Sequence, residues 1–250
     1  LVPAMGCTEP IAIAYAGSVA RKTLGALPER VEVAVSRNII KNVKSVVVPH
    51  TGGLRGIEAA AAAGIVAGDA AKELEVISHV EKQDIEAMGT FLKEVPCSVC
   101  AASSDLIFDI QITVYHGEDT ASVRITDFHT NLVHVSRNGE ILLAKEITGK
   151  EESALADKST LTIENIFAFA KEVDLADVRE VLERQVRYNM AIAEEGLRGN
   201  YGANIGKVLL ATYGDQDVKV RAKAMAAAGS DARMNGCEPV SYTHLTLPTI

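Results

Sequence analysis

The chain has 250 residues, a net charge of −8, 4% aromatic residues and no tryptophan. Without a run of Lys or Arg it is poorly suited to tracking a phosphate backbone, and so few aromatic residues make no base-stacking platform. The alanine-rich run at residues 59–71 is too short to span a membrane and contains Asp69. Nucleic acid and membrane are therefore not expected partners, while the length suffices for one large domain or two small ones with a real core.

The chain opens on Gly6-Cys7-Thr8-Glu9-Pro10 ahead of an apolar stripe at Ile11, Ala12, Tyr15, Val19 and Ala20. This predicts a helix over residues 9–25, with Thr8 as its N-cap, Glu9 and Pro10 in its first turn, and Gly25 as its stop. Cys7 then sits at the positive end of the helix dipole, which favours the thiolate that a base, nucleophile or metal ligand needs. The plainer alternative is a small buried thiol beside a cap. Val31, Val33 and Val35 alternate as a half-buried strand, and Val43 to Val48 read as a second strand closed by Pro49. His50-Thr51-Gly52-Gly53-Leu54-Arg55-Gly56 is a glycine-rich turn into a helix over residues 57–67, where exposed backbone N–H groups suit an anion.

Residues 71–94 read as polar helix. Cys97 and Cys100 form a Cys-x-x-Cys pair without the second pair a zinc site needs, so a structural role is the simpler reading. From residue 107 to 143 the chain is β-rich, with a turn at 116–119 and a hairpin at Asn138-Gly139. A polar linker follows over residues 149–160. Thr162 and Glu164 open a helical region to Leu197, residues 199–206 break it, and an alanine-rich helix covers residues 222–228. The fold class is α+β, with a small, mostly antiparallel sheet inserted after an N-terminal helix and followed by a helical layer. The expected divisions are 1–158 for helix plus sheet, 159–236 for the start of a helical domain, and 237–250 for a foreign, unstructured tail. No signal-peptide pattern is visible, and four cysteines in this length make no disulfide scaffold, so a cytoplasmic location with reduced thiols is expected.

Gly6-Cys7-Thr8-Glu9-Pro10 resembles the N-terminal signature of the L-cysteine desulfidase family, relatives of the iron–sulfur L-serine dehydratases. Further matches follow in order at Lys41-Asn42, Pro49-His50-Thr51-Gly52-Gly53, His129-Thr130-Asn131-Leu132-Val133-His134, Glu195-Gly196-Leu197 and Ser230-Asp231-Ala232-Arg233-Met234. The resemblance runs to about residue 236 and covers the N-terminal half of the family's pattern, so a C-terminal helical half is expected to be missing. If that half normally packs on the helices present here, its absence leaves an apolar face exposed on them.

The resemblance implies α,β-elimination of L-cysteine to sulfide, ammonia and pyruvate without pyridoxal phosphate. A [4Fe–4S] cluster would act as Lewis acid on the leaving sulfur. It implies Cys7 as the base, or alternatively as a cap on the resting cluster, with the three cluster cysteines in the missing half. Substrate-binding roles fall on Thr8, Lys41, Asn42, Thr51, Gly52, His129, Thr130, Asn131 and Arg233, the last as a carboxylate fork. Alone, this chain is expected to be inactive. An L-serine or L-threonine dehydratase is the second reading and a non-catalytic folded fragment the third; a homo-oligomer is a further expectation.

Overall fold

The computed structural model describes residues 3–4, 6–147, 159–237 and 241–242, with the backbone alone at the two outlying pairs. Strand β1 (Pro3–Ala4) precedes helix α1 (Thr8–Leu24), which stops as expected at Gly25, a left-handed residue (φ 83°) whose N–H returns to the Arg21 carbonyl. Strand β2 (Arg30–Val35) buries Val31, Val33 and Val35 on one face.

The next segment departs from expectation. Instead of a strand over Val43–Val48, helix α2 (Arg37–Val43) buries Ile39 and Val43, one turn apart. Val46 to Val48 are buried for another reason. They form one side of a closed loop in which Val48 N–H bonds Leu54 O and Gly56 N–H bonds Val46 O, while Val47 N–H reaches the Met234 carbonyl at 3.1 Å. Helix α3 (Gly56–Ala67) follows that loop as predicted. The polar helix expected over 71–94 is divided into a 3-10 segment (Ala70–Glu75) and α4 (Lys82–Glu94), the latter started by a Glu81–Asp84 capping box.

Strands β3 (Cys97–Ala101), β4 (Asp109–His116), β5 (Asp119–Thr126), β6 (Leu132–Arg137) and β7 (Glu140–Ala144) complete a six-stranded sheet in the order β3-β2-β4-β5-β6-β7. Only the β2–β3 pair is parallel. The α+β class and the mostly antiparallel sheet are as the sequence implies. Asn138 and Gly139 both take positive φ, the twist-matched geometry of a two-residue hairpin. Helices α1 and α3 cover the apolar face of the sheet. They meet at Gly17 against Ala61 and Gly64 against Ala14, where small residues let the backbones nearly touch.

A second group of helices comprises α5 (Ile163–Glu172), α6 (Leu175–Arg198), α7 (Ile205–Tyr213) and α8 (Val218–Met234). Thr162 caps α5 through Asn165 N–H, and Asp174 caps α6. Gly196 and Gly206 pack against the backbone of α8 at Ala228 and Ala224. Helix α5 buries none of its residues, and Ile163 and Phe167 are 83% and 61% exposed. Leu182 and Val186 on α6 are exposed as well, so both helices carry exposed apolar residues. Strand β8 (Ser241–Tyr242) pairs antiparallel with β1, although it falls within the stretch expected to be unstructured. Residues 243–250 of that tail, with most of the 149–160 linker, lie outside the described residues. Among the described residues, no helix is long and apolar enough to cross a membrane.

Candidate active site

The sheet register places the site. Val35, Asp109 and Thr126 share one end of the sheet; Arg30, His116 and Asp119 share the other. Gly25, at the close of α1, lies against Arg137, in the hairpin at the second of these ends. The start of α1 therefore lies at the first end, with α2 and the 126–131 turn. There Gly6 packs against Pro49 and beneath the Arg233 carbonyl, and Gly236 packs on Val47. Four segments separated in sequence meet at this point: the start of α1, α2, the loop before α3, and the end of α8.

Cys7, not Thr8, is the N-cap of α1, with extended backbone (φ −79°, ψ 129°) and no side-chain bond to the helix N–H groups. Thr8 is the first helical residue. The Cys7 thiol is half-buried and donates to Glu9 Oε2 at 3.1 Å, while Asn42 Nδ2 stands 3.5 Å from Glu9 Oε1. The expected fall in thiol pKa does not occur. Burial pushes the Cys7 pKa well above the ordinary thiol range and the Glu9 carboxylate, by its charge and its hydrogen bond, pushes it further; the Glu9 backbone N–H and, more weakly, Arg233 act the other way. Desolvation and one adjacent carboxylate outweigh the field of the helix end. Cys7 is thus a protonated donor in this state. Glu9, read from the sequence only as a first-turn residue, is its partner; an acid two positions after an N-cap cysteine was the available signal.

Arg233 lies in the last turn of α8, half-buried, and its Nε is enclosed without a hydrogen-bond partner among the described residues. Burial lowers its pKa and the nearby Cys7 raises it. The Asp231 carboxylate is committed elsewhere, accepting from Ile205 N–H at 3.1 Å, so the local ion pair that would make Arg233 unremarkable does not form. Lys41 and Asn42 are exposed on α2 rather than following a strand.

The remaining predicted residues have structural partners. Thr51 is buried and its hydroxyl donates to the Val48 carbonyl at 2.7 Å, closing the loop. Gly52 takes φ 68° and faces Ile85 on α4, which a Cβ would meet at 3.0 Å. In the 126–131 turn, His129 packs on Phe108 with ring centroids 4.7 Å apart, and Asn131 Nδ2 donates to the Thr126 carbonyl at 3.1 Å. The Thr130 carbonyl accepts from Leu132 N–H. The turn shares the Cys7 end of the sheet, but the Cys7 thiol is directed to Glu9 and not to it.

The described residues do not fit a four-iron cluster, which takes several converging thiolates. No group of three or more His, Cys, Asp or Glu among them is arranged to hold a metal ion. Cys97 and Cys100 belong to edge strand β3, rather than preceding the β-rich run. At a spacing of three they point to opposite faces of that strand, so they cannot grip one ion together. Cys237 follows α8 and bonds the Tyr201 hydroxyl at 3.4 Å.

Residues 71–246 match the family model described as the serine dehydratase alpha chain. The chain belongs to the serine dehydratase alpha-chain family. It is 55% identical over 238 residues to a UPF0597 protein of Desulfitobacterium hafniense, covering 95% of this chain and 55% of that protein. UPF0597 proteins of Lachnoclostridium phytofermentans and Fusobacterium nucleatum are 48% and 41% identical, over 95% and 97% of this chain and 57% and 58% of their own lengths. The chain thus spans little more than half the length of the curated relatives it matches. No solved structure matches it.

Proposed function

We propose that this chain is part of a lyase that performs α,β-elimination on L-cysteine, with Cys7 and Arg233 at the centre of its site. The observation that carries the reading is Arg233, whose Nε is enclosed and which has no carboxylate partner among the described residues, within electrostatic reach of the Cys7 thiol. A planar cation of this kind suits the α-carboxylate of an amino acid. It would set the substrate's Cα beside the sulfur of Cys7. Loss of the Cα proton sends its electron pair into a Cα=Cβ double bond as the Cβ–S bond breaks. Sulfide leaves, and the resulting 2-aminoacrylate tautomerises to an imine that water hydrolyses to pyruvate and ammonia.

Cys7 is the group proposed to exchange the Cα proton. In the state described here it holds its own proton even with Arg233 nearby, so a base role requires positive charge beyond what the described residues supply. Lys41 and Asn42, on the exposed face of α2, are proposed to line the entrance. A [4Fe–4S] cluster without pyridoxal phosphate is what the resemblance implies. Its thiolates would have to come from beyond the described residues, and no step here is routed through it.

The family description favours a second reading, elimination of water from L-serine, and one assay separates the two. This chain and the full-length Desulfitobacterium hafniense relative would each be reconstituted anaerobically with iron and sulfide, then offered L-cysteine and L-serine. Sulfide and pyruvate from L-cysteine with the longer protein, lost when the cysteine equivalent to Cys7 becomes alanine, is the expected result. Pyruvate from L-serine alone selects the dehydratase. Turnover of neither substrate overturns the lyase reading.

A further inference from the structure

Glu9 and Arg233 carry opposite charges at one site, yet neither forms an ion pair with the other or with any other described residue. The last turn of α8 lies against the start of α1, where a Cβ on Gly6 would stand 3.6 Å from the Arg233 carbonyl. The Cys7 thiol donates to Glu9 at 3.1 Å, and the Arg233 Nε is enclosed without a hydrogen-bond partner among the described residues. Asn42 fixes the second oxygen of Glu9 from α2, at 3.5 Å. Partly buried opposite charges that close on each other form an ion pair; here they are held on different helices and do not pair. Such a pair of poles is completed by a ligand bearing both charges.

We propose that Glu9 is the specificity-determining residue for the α-ammonium group, so that the site selects zwitterionic α-amino acids over simple carboxylic acids. This deepens the reading given under Proposed function and rests on it, since Arg233 must take the carboxylate. The Glu9 carboxylate exchanges a thiol donor for an ammonium donor, a stronger charge-assisted bond. The discrimination comes from geometry: the start of α1 fixes the anionic pole and the end of α8 the cationic pole. A ligand without the ammonium leaves Glu9 with only the weaker thiol donor.

The test is equilibrium dialysis of the 250-residue chain against isotopically labelled L-serine, 3-hydroxypropionate and ethanolamine. These share a hydroxyl and carry, respectively, both charged groups, the carboxylate alone and the ammonium alone. L-Serine is the probe because it matches L-cysteine in shape without forming disulfides. Glu9→Gln is expected to weaken L-serine about tenfold to a hundredfold, the worth of a bond to a charged group. It should leave 3-hydroxypropionate unchanged, whereas Arg233→Gln weakens both. Glu9→Asp keeps the charge and should retain the preference for L-serine, which guards against a Gln variant that merely folds poorly. Equal binding of L-serine and 3-hydroxypropionate, both lost in Arg233→Gln, overturns the role of Glu9 and leaves the carboxylate site standing. An equal loss of both ligands in Glu9→Gln also overturns it, as a structural effect. No binding of any probe overturns both readings.

Discussion

Alanine in place of Gly64 should separate the two central helices, and the size of the effect follows from the contact. A Cβ at Gly64 would lie 1.8 Å from the Ala14 carbonyl oxygen and 2.5 Å from its carbon. Both are backbone atoms of α1, so no rotamer change relieves the clash. Restoring an ordinary contact requires the helices to part by roughly 1.5 Å, and a gap of this kind forfeits more than half of each dispersion well along the seam. The Ser18 hydroxyl bond to the Gly68 carbonyl, 2.8 Å long, breaks at that separation and adds about 1 kcal/mol. Set against a gain of about 1 kcal/mol in helix propensity, the net loss is about 3–5 kcal/mol. That is a large share of a typical domain's 5–15 kcal/mol or so. Gly89 on α4 is the control, because a Cβ there meets nothing within 4 Å. Gly89→Ala should be neutral or stabilise by up to about 1 kcal/mol. Urea unfolding followed by circular dichroism gives both values as midpoint shifts at constant slope. A Gly64→Ala midpoint indistinguishable from that of Gly89→Ala would refute the close approach of α1 and α3.

Asp109 is 1% exposed and takes a two-point contact from Arg124, at 2.9 and 2.8 Å; Asp109→Ala should cost about 3–5 kcal/mol by stranding that guanidinium, again read by urea unfolding. Burial, with Glu58 adding its charge, pushes the Cys97 pKa up to about 11. Its alkylation by iodoacetamide, read by peptide mass spectrometry, should therefore reach half its maximal rate near pH 11 and at pH 8 be roughly a hundredfold slower than for an unperturbed thiol. Because this raised folded pKa favours the protonated thiol, its contribution to stability is complete below pH 9.0 and lost as pH rises through about 11. Replacing Cys97 by alanine should flatten that alkaline decline. The exposed apolar residues of α5 should bind a hydrophobic dye and drive self-association in sedimentation. Changing Ile163, Ile166 and Phe167 together to lysine should abolish both without altering the urea midpoint, since α5 buries nothing.

Periodicity and turn chemistry made much of this fold readable from the chain alone. Gly25 ends α1 because only a left-handed residue fits there, Asn138-Gly139 closes a hairpin because both positions need positive φ, and the valines of β2 alternate because one face is buried. The order of motifs along the sequence also drew attention to Cys7 and Arg233, whose segments the fold brings together at the start of α1 and the end of α8. Tertiary packing decided the rest. Val46 to Val48 are buried by loop closure and by the end of α8 rather than by a strand, and β3 exists because β2 offers it a parallel edge. The proton on Cys7 was beyond the reach of local reasoning, because it depends on burial and on where the Glu9 carboxylate points. Arg233 is not paired with Asp231, two residues away, because that carboxylate is drawn off to the start of α7. Short-range backbone preferences are written in neighbouring residues, whereas desolvation and charge pairing depend on which distant segments the fold brings together.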